Sequence, residues 1–554
     1  MSDNPDIVIT GGRIVDGTGA PSFEADLRIS GGKIAEVRRG ISTAGARVIK
    51  ADGLYVAPGF IDTHSHADLT LMLNPQADSM VRQGFTTSII GLCGISGGPV
   101  SKEKLSDWKA ALSGVVAHYA VSVPQVSWNW ESLGGYLKEL KKGGISLNVG
   151  TFVGASTVRT SVIGVTNREP TKDELEKMKG LVEQSMKEGA FGLTVGLDFA
   201  PGNAAKKEEI LELSKVVGDY GGLYCSHQRN GSDKLEDATR ESIEIADESG
   251  SRLIISHMVP KMGGWGKGPG LIKMVEDARA RGMDVVFDDY YETGSPVSLL
   301  TLLPAWAFEG GTDAMLDRLS DPGSRERIKK EFTGPLATVV RSGRWDLITV
   351  TSANKNKEFV GRTIADISTE KGKDPWDFAL DLLAEERGTV EFVTFFRSAE
   401  DAKLMITHPY SLIETDTCTA APYGPLAKLK DFKAYNLYPK LLRTYVREQK
   451  LLTLEEFVRK TTSFPAQVFG LKDRGVIREG AWADLVILDP VRVSETGTFA
   501  DPAHYPVGIE YVLVNGVLVV DQEKHTGALP GVVLLSGLGR KGHRPVDPAH
   551  TALA

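Results

Sequence analysis

The sequence has few cysteines, no dense basic segment and no long apolar run. Three cysteines, Cys93, Cys225 and Cys418, are too few and too widely spaced for a disulfide framework, which argues against a small secreted scaffold. Because the formal net charge is −8 and no cluster of lysines and arginines stands out, we expect neither nucleic acid nor a membrane surface as a partner. No stretch reaches the roughly 18 apolar residues of a membrane span. No signal peptide is evident either, so we expect a cytoplasmic protein.

The two ends of the chain share a β-strand pattern. In the N-terminal segment, Gly-Gly pairs at 11 and 31 separate alternating apolar runs, which indicates hairpins. The same pattern returns near the C-terminus in GVIREGAWADLVILDP and IEYVLVNGVLVVDQEKHTG. Neither end has enough strands for a sandwich alone. We therefore expect the ends to pair in one small β-sandwich domain, which covers the strand edges of both.

Between these ends, strand-like runs alternate with helical stretches. The runs are GFIDTHSH, TTSIIGLC, ISLNVGTFVG, AFGLTVGL, GLYCSH, RLIISHM, DVVFDDYY and SLIETD. Alternating βα units in this number predict an α/β fold, a parallel (β/α)8 TIM-like barrel with its active site at the C-terminal ends of the strands. The segment between the seventh and eighth strands is too long for a loop, which predicts an inserted subdomain.

These patterns divide the 554 residues into four parts. A chain of this length is expected to form one large domain and an accessory domain. The predicted bounds are 1–57 and 473–537 for the β-sandwich domain, 58–472 for the barrel with its inserted subdomain at about 294–397, and 538–554 for a tail.

Side chains that commonly bind metals follow the predicted strands. The first strand ends in a His-x-His pair, and because side chains alternate along a strand, both imidazoles face the same way. The candidate ligands are His64 and His66, Cys93 after the second strand, His227 after the fifth, His257 after the sixth and Asp416 after the eighth. Imidazole, thiolate and carboxylate donors suit zinc, as one ion or two.

This ligand set indicates the hydrolysis of a C–N bond. A metal-bound water can lose its proton near neutral pH and attack a carbonyl that the metal polarises. Asp416, as the catalytic acid and base, would take that proton and pass it to the departing amine, since an amide nitrogen leaves only when it is protonated. The expected partner is a small-molecule amide substrate.

The motifs resemble a known family. PGFIDTHSHAD after a β-rich N-terminus, with GAWADLVILDP near the C-terminus, resembles the amidohydrolase superfamily. The motifs GLCGIS, VRTSVIG, GLTVGLDFAPGNAAKKEEI, CSHQRN, LLPAWAFEGG and LPGVVLL resemble its N-acyl-D-amino-acid deacylase group. This resemblance implies that one zinc is held tightly by Cys93, His227 and His257, and that a second, often weaker position is formed by His64, His66 and Asp416. The cysteine would reach both positions.

The sequence departs from this group where the substrate would be held. Ala155 stands where members usually carry a histidine after the third strand. After His257, Met-Val replaces His-Lys, and Lys261 is the nearest lysine. The strand-seven motif reads YYETGS rather than Tyr-Pro-Tyr before Ala-Gly-Ser. By resemblance, the candidate substrate-binding residues are Lys261, Tyr290, Tyr291 and Ser295.

The leading hypothesis is a zinc-dependent amidohydrolase that cleaves an N-acyl-D-amino acid or a related N-acyl amine to a carboxylate and a free amine. The altered pocket leaves open a cyclic amide, an N-acylated xenobiotic or a modified peptide. Ring-opening relatives often use a carbamylated lysine, and the run Leu193 to Gly196 after the fourth strand has none. A barrel that only binds is the alternative from another class. Homo-oligomer formation is also left open.

Overall fold

The computed structural model describes residues 6–115, 121–308, 311–332 and 336–539. Of the predicted tail at 538–554, all but the first two residues lie outside this part of the chain. None of the helices in these ranges combines the length and the apolar character needed to cross a membrane.

Two sheets contain strands from the ends of the chain. A four-stranded sheet has the order β5-β4-β1-β6, and a seven-stranded sheet has the order β23-β22-β21-β20-β7-β2-β3. In the second sheet β7 and β20 are antiparallel, with Val56 opposite Ile487, so the two ends of the chain are paired through backbone hydrogen bonds. The strands are β1 Ile7–Thr10, β2 Arg13–Ile14, β3 Phe23–Glu24, β4 Asp26–Ser30, β5 Lys33–Arg38, β6 Arg47–Lys50, β7 Tyr55–Pro58, β20 Leu485–Leu488, β21 Ile509–Val514, β22 Val517–Asp521 and β23 Lys524–His525.

Parallel strands alternate with helices in the middle of the chain, which confirms the α/β class. Their orders are β10-β9-β8 and β11-β12-β13-β14-β15-β19, and every pair is parallel. Only Phe152 separates β10 from β11, and its N–H donates to the Ile90 carbonyl of β9 at 2.9 Å. The strands are β8 Phe60–Asp62, β9 Phe85–Ile90, β10 Asn148–Thr151, β11 Val153–Gly154, β12 Gly192–Gly196, β13 Leu223–His227, β14 Arg252–Ser256, β15 Val285–Asp289 and β19 Ser411–Ile413.

The parallel strands are covered on both faces, so every residue of strands such as β9 and β12 is buried, including the two threonines and the serine of β9. The flanking helices begin with side-chain caps where the sequence offers them. Thr171, for example, accepts from the Glu174 N–H while Glu174 accepts from the Thr171 N–H, a reciprocal box that starts a 16-residue helix. The helices outside the segment between β15 and β19 are Thr70–Leu73, Asp78–Val81, Leu105–Val115, Leu133–Lys142, Ala155–Ile163, Lys172–Lys187, Lys207–Asp219, Leu235–Ser249, Gly268–Ala280, Phe432–Leu441 with its π-helical continuation Leu442–Glu448, Leu454–Thr461 and Ser463–Phe469.

The segment between β15 and β19 has its own sheet and core. Its antiparallel sheet has the order β16-β18-β17, and large side chains such as Trp345, Phe378 and Phe392 fill a separate hydrophobic cluster. A bridge between Lys261 and Arg397 joins its end to the loop after β14. Its elements are β16 Ser295–Val297, β17 Ile348–Ser352, β18 Glu391–Thr394 and the helices Gly311–Ser320, Pro322–Glu331, Ala337–Arg341, Ile364–Glu370, Pro375–Glu385 and Ala399–Ile406.

Candidate metal centre

The thiol of Cys93 lies among three imidazoles. Its Sγ is 3.1 Å from His64 Nε2, 3.2 Å from His227 Nδ1 and 3.3 Å from His257 Nε2. These side chains come from the C-terminal ends of β8, β9, β13 and β14, which parallel pairing brings to one edge. Ring nitrogens converging on one sulfur form an arrangement that a single cation can occupy.

Asp416 extends this group toward His66. Its Oδ1 lies 3.3 Å from His66 Nε2 and 3.8 Å from His257 Nε2. Four donor atoms lie within 4.8 Å of one another, one each from His64, Cys93, His257 and Asp416. The structure therefore brings all six predicted ligands into one continuous cluster. Cys93 and His257 lie at its centre, because Cys93 contacts three of the imidazoles and His257 lies close to both Cys93 and Asp416.

The backbone is strained at half of these positions. Cys93, His257 and Asp416 have φ values of 49°, 52° and 45°, in the left-handed region that side-chain-bearing residues seldom adopt. Such a conformation costs about 1–3 kcal/mol per residue and persists only where its surroundings impose it. Here the Asp416 N–H donates to the His64 carbonyl at 3.0 Å and the His257 N–H donates to Asp288 at 3.0 Å. The strain falls on the proposed ligands, as is common at functional sites.

Two buried carboxyl groups lie near the outer nitrogens of the imidazoles, and of these only Glu414 is within hydrogen-bond distance. Asp288 Oδ2 is 3.6 Å from His64 Nδ1, and Glu414 Oε1 is 3.3 Å from His257 Nδ1. A carboxylate at this position fixes the tautomer and orientation of a ligating histidine. Sequence reasoning missed both residues, although Glu414 lies only two positions before Asp416. A rule that seeks carboxylates beside each metal-binding motif would have found Glu414, whereas Asp288, at the end of β15, lies beside none of the predicted ligands in the sequence.

Burial sets the charge of these side chains. It lowers the pKa of His66, of His227 and, most strongly, of His257, so the imidazoles are neutral and their lone pairs are available. Burial also raises the pKa of the Cys93 thiol, which a bound cation would reverse. Neutral imidazoles, one thiol and one carboxylate fit a borderline-soft divalent ion, which is the ion that the sequence predicted.

A buried lysine that sequence reasoning missed lies against Asp416. Lys433 Nζ donates to the Asp416 carbonyl at 2.7 Å and lies 3.2 Å from its Oδ2. Burial opposes ionisation of Asp416, but the Lys433 ammonium, helped by a hydrogen bond from His66, outweighs it and holds the pKa of this carboxyl well below its usual range. Asp416 is therefore an anion with one oxygen toward the imidazoles and the other toward Lys433. Lys433 lies 17 residues beyond Asp416 in no recognised motif, so no local signal identifies it.

Two of the four candidate substrate-binding residues meet at the cluster. The Tyr290 hydroxyl shares a hydrogen bond with the Ser295 hydroxyl and accepts from Arg397 Nε at 2.5 Å. The Tyr290 ring lies between two cations, with its centroid 3.9 Å from the Arg397 guanidinium and 4.0 Å from Lys433 Nζ. Arg397 also pairs with Asp289. Sequence reasoning missed this arginine because it comes from the inserted segment.

The other two candidates lie elsewhere. Tyr291 is buried, and its carbonyl accepts from the Tyr445 hydroxyl at 3.0 Å, so it packs in the core. Lys261 Nζ lies 3.5 Å from Asp198 Oδ2, and the same oxygen is 4.0 Å from His227 Nε2. Lys261 therefore reaches the cluster only through Asp198, a residue that sequence reasoning also missed.

Comparisons with known proteins agree with this site. The model of the amidohydrolase family matches residues 47–520. N-acyl-D-glutamate deacylase of Alcaligenes xylosoxydans xylosoxydans is 30% identical to this chain over 94% of this chain and 95% of its own length. N-acyl-D-aspartate deacylase and D-aminoacylase of the same organism are each 29% identical, over 96% of this chain and 95% and 97% of their own lengths.

Solved structures agree at the level of the whole chain. N-acyl-D-glutamate deacylase from Bordetella bronchiseptica, complexed with zinc and a phosphonate inhibitor, aligns with a TM-score of 0.76 at 29% identity, over 96% of this chain and 100% of that chain. A D-aminoacylase structure aligns with a TM-score of 0.75 at 28% identity, over 96% of this chain and 99% of that chain. D-hydantoinase, with a TM-score of 0.53 at 16% identity over 96% of this chain and 98% of that chain, shares the fold alone.

Proposed function

Because the chain belongs to the amidohydrolase family, we propose that it is a zinc-dependent hydrolase of linear amides. The substrate is an N-acyl-D-amino acid or a related N-acyl amine, and the products are a carboxylate and a free amine. The resemblance to N-acyl-D-amino-acid deacylases is confirmed by three relatives of about equal similarity over nearly the whole chain. The observation that carries the proposal is the Cys93 thiol set among three imidazoles and joined to Asp416 through His257.

We also propose that the eight parallel strands close into a (β/α)8 barrel, with β10 and β11 as one interrupted strand. A bridge between Ser65 and Thr417 and the hydrogen bond from the Asp416 N–H to the His64 carbonyl join the ends of the first and last strands. Closure explains why six strand ends reach one cluster. The terminal sheets, predicted at 1–57 and 473–537, then form an accessory domain, and the segment near 294–397 lies at the mouth.

Cys93, His227 and His257 would hold one zinc, and His64, His66 and Asp416 would hold a second with lower affinity. Cys93 Sγ also lies 3.1 Å from His64 Nε2, within reach of the second group. A bound divalent ion supplies an acidified water and a polarised carbonyl. The same oxygen and nitrogen donors serve one ion or two, and the solved D-aminoacylase has a binuclear metal centre.

The chain's own residues then position and move the proton. Asp416 is an anion held between Lys433 and the imidazoles, so its Oδ1 faces the reacting centre and accepts the proton of the attacking water. Asp416 returns that proton to the amide nitrogen, which leaves as an amine. Glu414 keeps His257 in its ligating orientation through a contact with Nδ1 at 3.3 Å. Tyr290, through its hydroxyl and that of Ser295, contacts the substrate beside them.

The test is primary-amine release by the zinc-loaded protein. The panel contains N-acetylated D- and L-amino acids and several bulkier N-acyl amines, and chelator-treated protein is the matched control. We expect metal-dependent turnover of D-amino acid derivatives and none after chelation. Turnover of the bulkier amides alone would show that the amine half of the substrate is not an amino acid. Metal-independent turnover would refute the mechanism.

A further inference from the structure

The exposure of the cluster shows where a substrate enters. His64, Asp288 and Glu414 are completely buried and form its floor. On the open side, 16% of the His227 side chain, 23% of Asp416 and 33% of Asp198 remain exposed. Asp198 is therefore the most exposed of these carboxylates and lies beside the entrance, two residues beyond the end of β12.

The head of Lys261 is held at Asp198. Its backbone N–H donates to the Gly231 carbonyl at 2.9 Å, and its aliphatic stem crosses Gly231, where an added Cβ would come within 2.9 Å of Lys261 Cδ. Its ammonium lies 3.5 Å from Asp198 Oδ2 and 5.9 Å from the Phe396 ring centroid. Asp198 therefore neutralises the one lysine that reaches the entrance from the loop after β14.

The other cations at this edge are matched in the same way. Lys433 pairs with Asp416, and Arg397 pairs with Asp289. Each of the three cations is already within ion-pair distance of a carboxylate of this chain. The α-carboxylate of an N-acyl amino acid can share these cations and the bound metal. A second carboxylate, as in glutamate or aspartate, meets the Lys261–Asp198 pair from its negative side, since 33% of the Asp198 side chain is exposed against 16% of Lys261.

We infer that Asp198 is a specificity-determining residue that disfavours an acidic side chain on the amine half of the substrate, so that the chain acts on N-acyl derivatives of neutral or cationic amino acids. This inference rests on the proposed function. It separates this chain from the two relatives named for N-acyl-D-glutamate and N-acyl-D-aspartate. The physical reason is that like charges brought together in a partly desolvated site repel strongly.

The experiment compares a charged substrate with its neutral isostere. The kcat/KM of the zinc-loaded full chain is measured for N-acetyl-D-glutamate, N-acetyl-D-glutamine and N-acetyl-D-lysine. We expect the wild type to prefer the glutamine over the glutamate derivative by about tenfold or more. Asp198→Asn should narrow this ratio by about fivefold or more, since the amide still accepts from Lys261 but carries no charge.

Two further variants exclude a merely structural effect. Lys261→Gln leaves Asp198 uncompensated, so it should widen the ratio, opposite in sign to Asp198→Asn. Asp284→Asn is the matched control because Asp284 also pairs with a cation, Arg252 at 2.7 Å, but at the opposite ends of the strands. It should leave the ratio unchanged. Zinc content and melting temperature of each variant identify any that fails to fold.

The outcomes separate this inference from the proposed function. Faster turnover of N-acetyl-D-glutamate by the wild type, or an unchanged ratio in an active Asp198→Asn variant, would overturn the role of Asp198. Failure to release amine from any N-acyl amino acid would overturn the proposed substrate class. In that case the affinities of the protein for D-glutamine and D-glutamate, measured by calorimetry, still test whether an acidic side chain is disfavoured. Tighter binding of D-glutamate would refute the role of Asp198.

Discussion

Removal of the Lys433 charge tests whether this residue positions Asp416. In Lys433→Met the ammonium 3.2 Å from Asp416 Oδ2 is lost, while the aliphatic volume is nearly kept. At an effective dielectric constant of about 20, two unit charges at this distance attract by about 5 kcal/mol. Removal of one partner of a buried pair typically costs about 3–5 kcal/mol. Asp416 accepts a proton only while it is an anion, and burial raises its pKa once Lys433 is gone. If the anion loses about half of this attraction, the ionised fraction of Asp416, and with it kcat, falls by up to about 100-fold.

The assay is amine release with kcat and KM resolved, at zinc contents measured for each sample. KM should change less than kcat, because Lys433 contacts Asp416, the proposed acid and base, rather than the substrate. Lys433→Arg keeps the positive charge and should recover part of the lost kcat. Lys460→Met is the matched control, since Lys460 is equally buried but donates to Ser411 Oγ at 2.9 Å, at the opposite end of β19.

The control should keep kcat within about threefold per zinc-loaded molecule, since surface and core substitutions remote from a site act mainly on stability. A Lys433→Met variant with the same zinc content and a kcat within threefold of the wild type would refute the reasoning. Equal loss in Lys433→Arg and Lys433→Met would show that shape, not charge, matters there.

Three further predictions concern the metal and its neighbours. Cys93→Ala should at least halve the zinc bound per chain, measured by atomic emission, and unchanged stoichiometry would remove Cys93 from the ligand set. Glu414→Leu should weaken zinc binding about 10- to 100-fold in a chelator competition, because His257 Nδ1 loses the carboxyl oxygen 3.3 Å away; an unchanged affinity would contradict that role. Asp416→Asn should lower kcat about 100-fold or more. Near-normal turnover of this variant with zinc still bound would mean that another group moves the proton.

The candidate metal ligands could be predicted from the sequence because metal binding uses rare side chains at specific places. The chain has 10 histidines and 3 cysteines, so a histidine or cysteine at the end of a buried strand stands out. Of the three cysteines, only Cys93 was predicted to be a ligand. In the structure Cys93 Sγ meets three imidazoles, whereas Cys225 Sγ lies 3.0 Å from Ser256 Oγ within the core.

The neighbours that control charge could not be predicted in this way. The lysines and arginines together number 64, and no local feature marks Lys433 or Arg397 as different from those on the surface. Arg397 and Asp289 are 108 residues apart, and the inserted segment brings them together. Tyr290 and Tyr291 are adjacent, yet one hydroxyl faces the cluster and the other residue packs in the core.

The sequence by itself determined the α/β class, the strand ends that carry the candidate metal ligands and the family, because these depend on local hydrophobic pattern and on rare residues in a set order. Only the tertiary structure decided which carboxylate faces which cation. Ion pairs act over a few ångströms between side chains far apart in the chain. Their partners, and with them the charge offered to a substrate, exist only once the strands and the inserted segment are assembled.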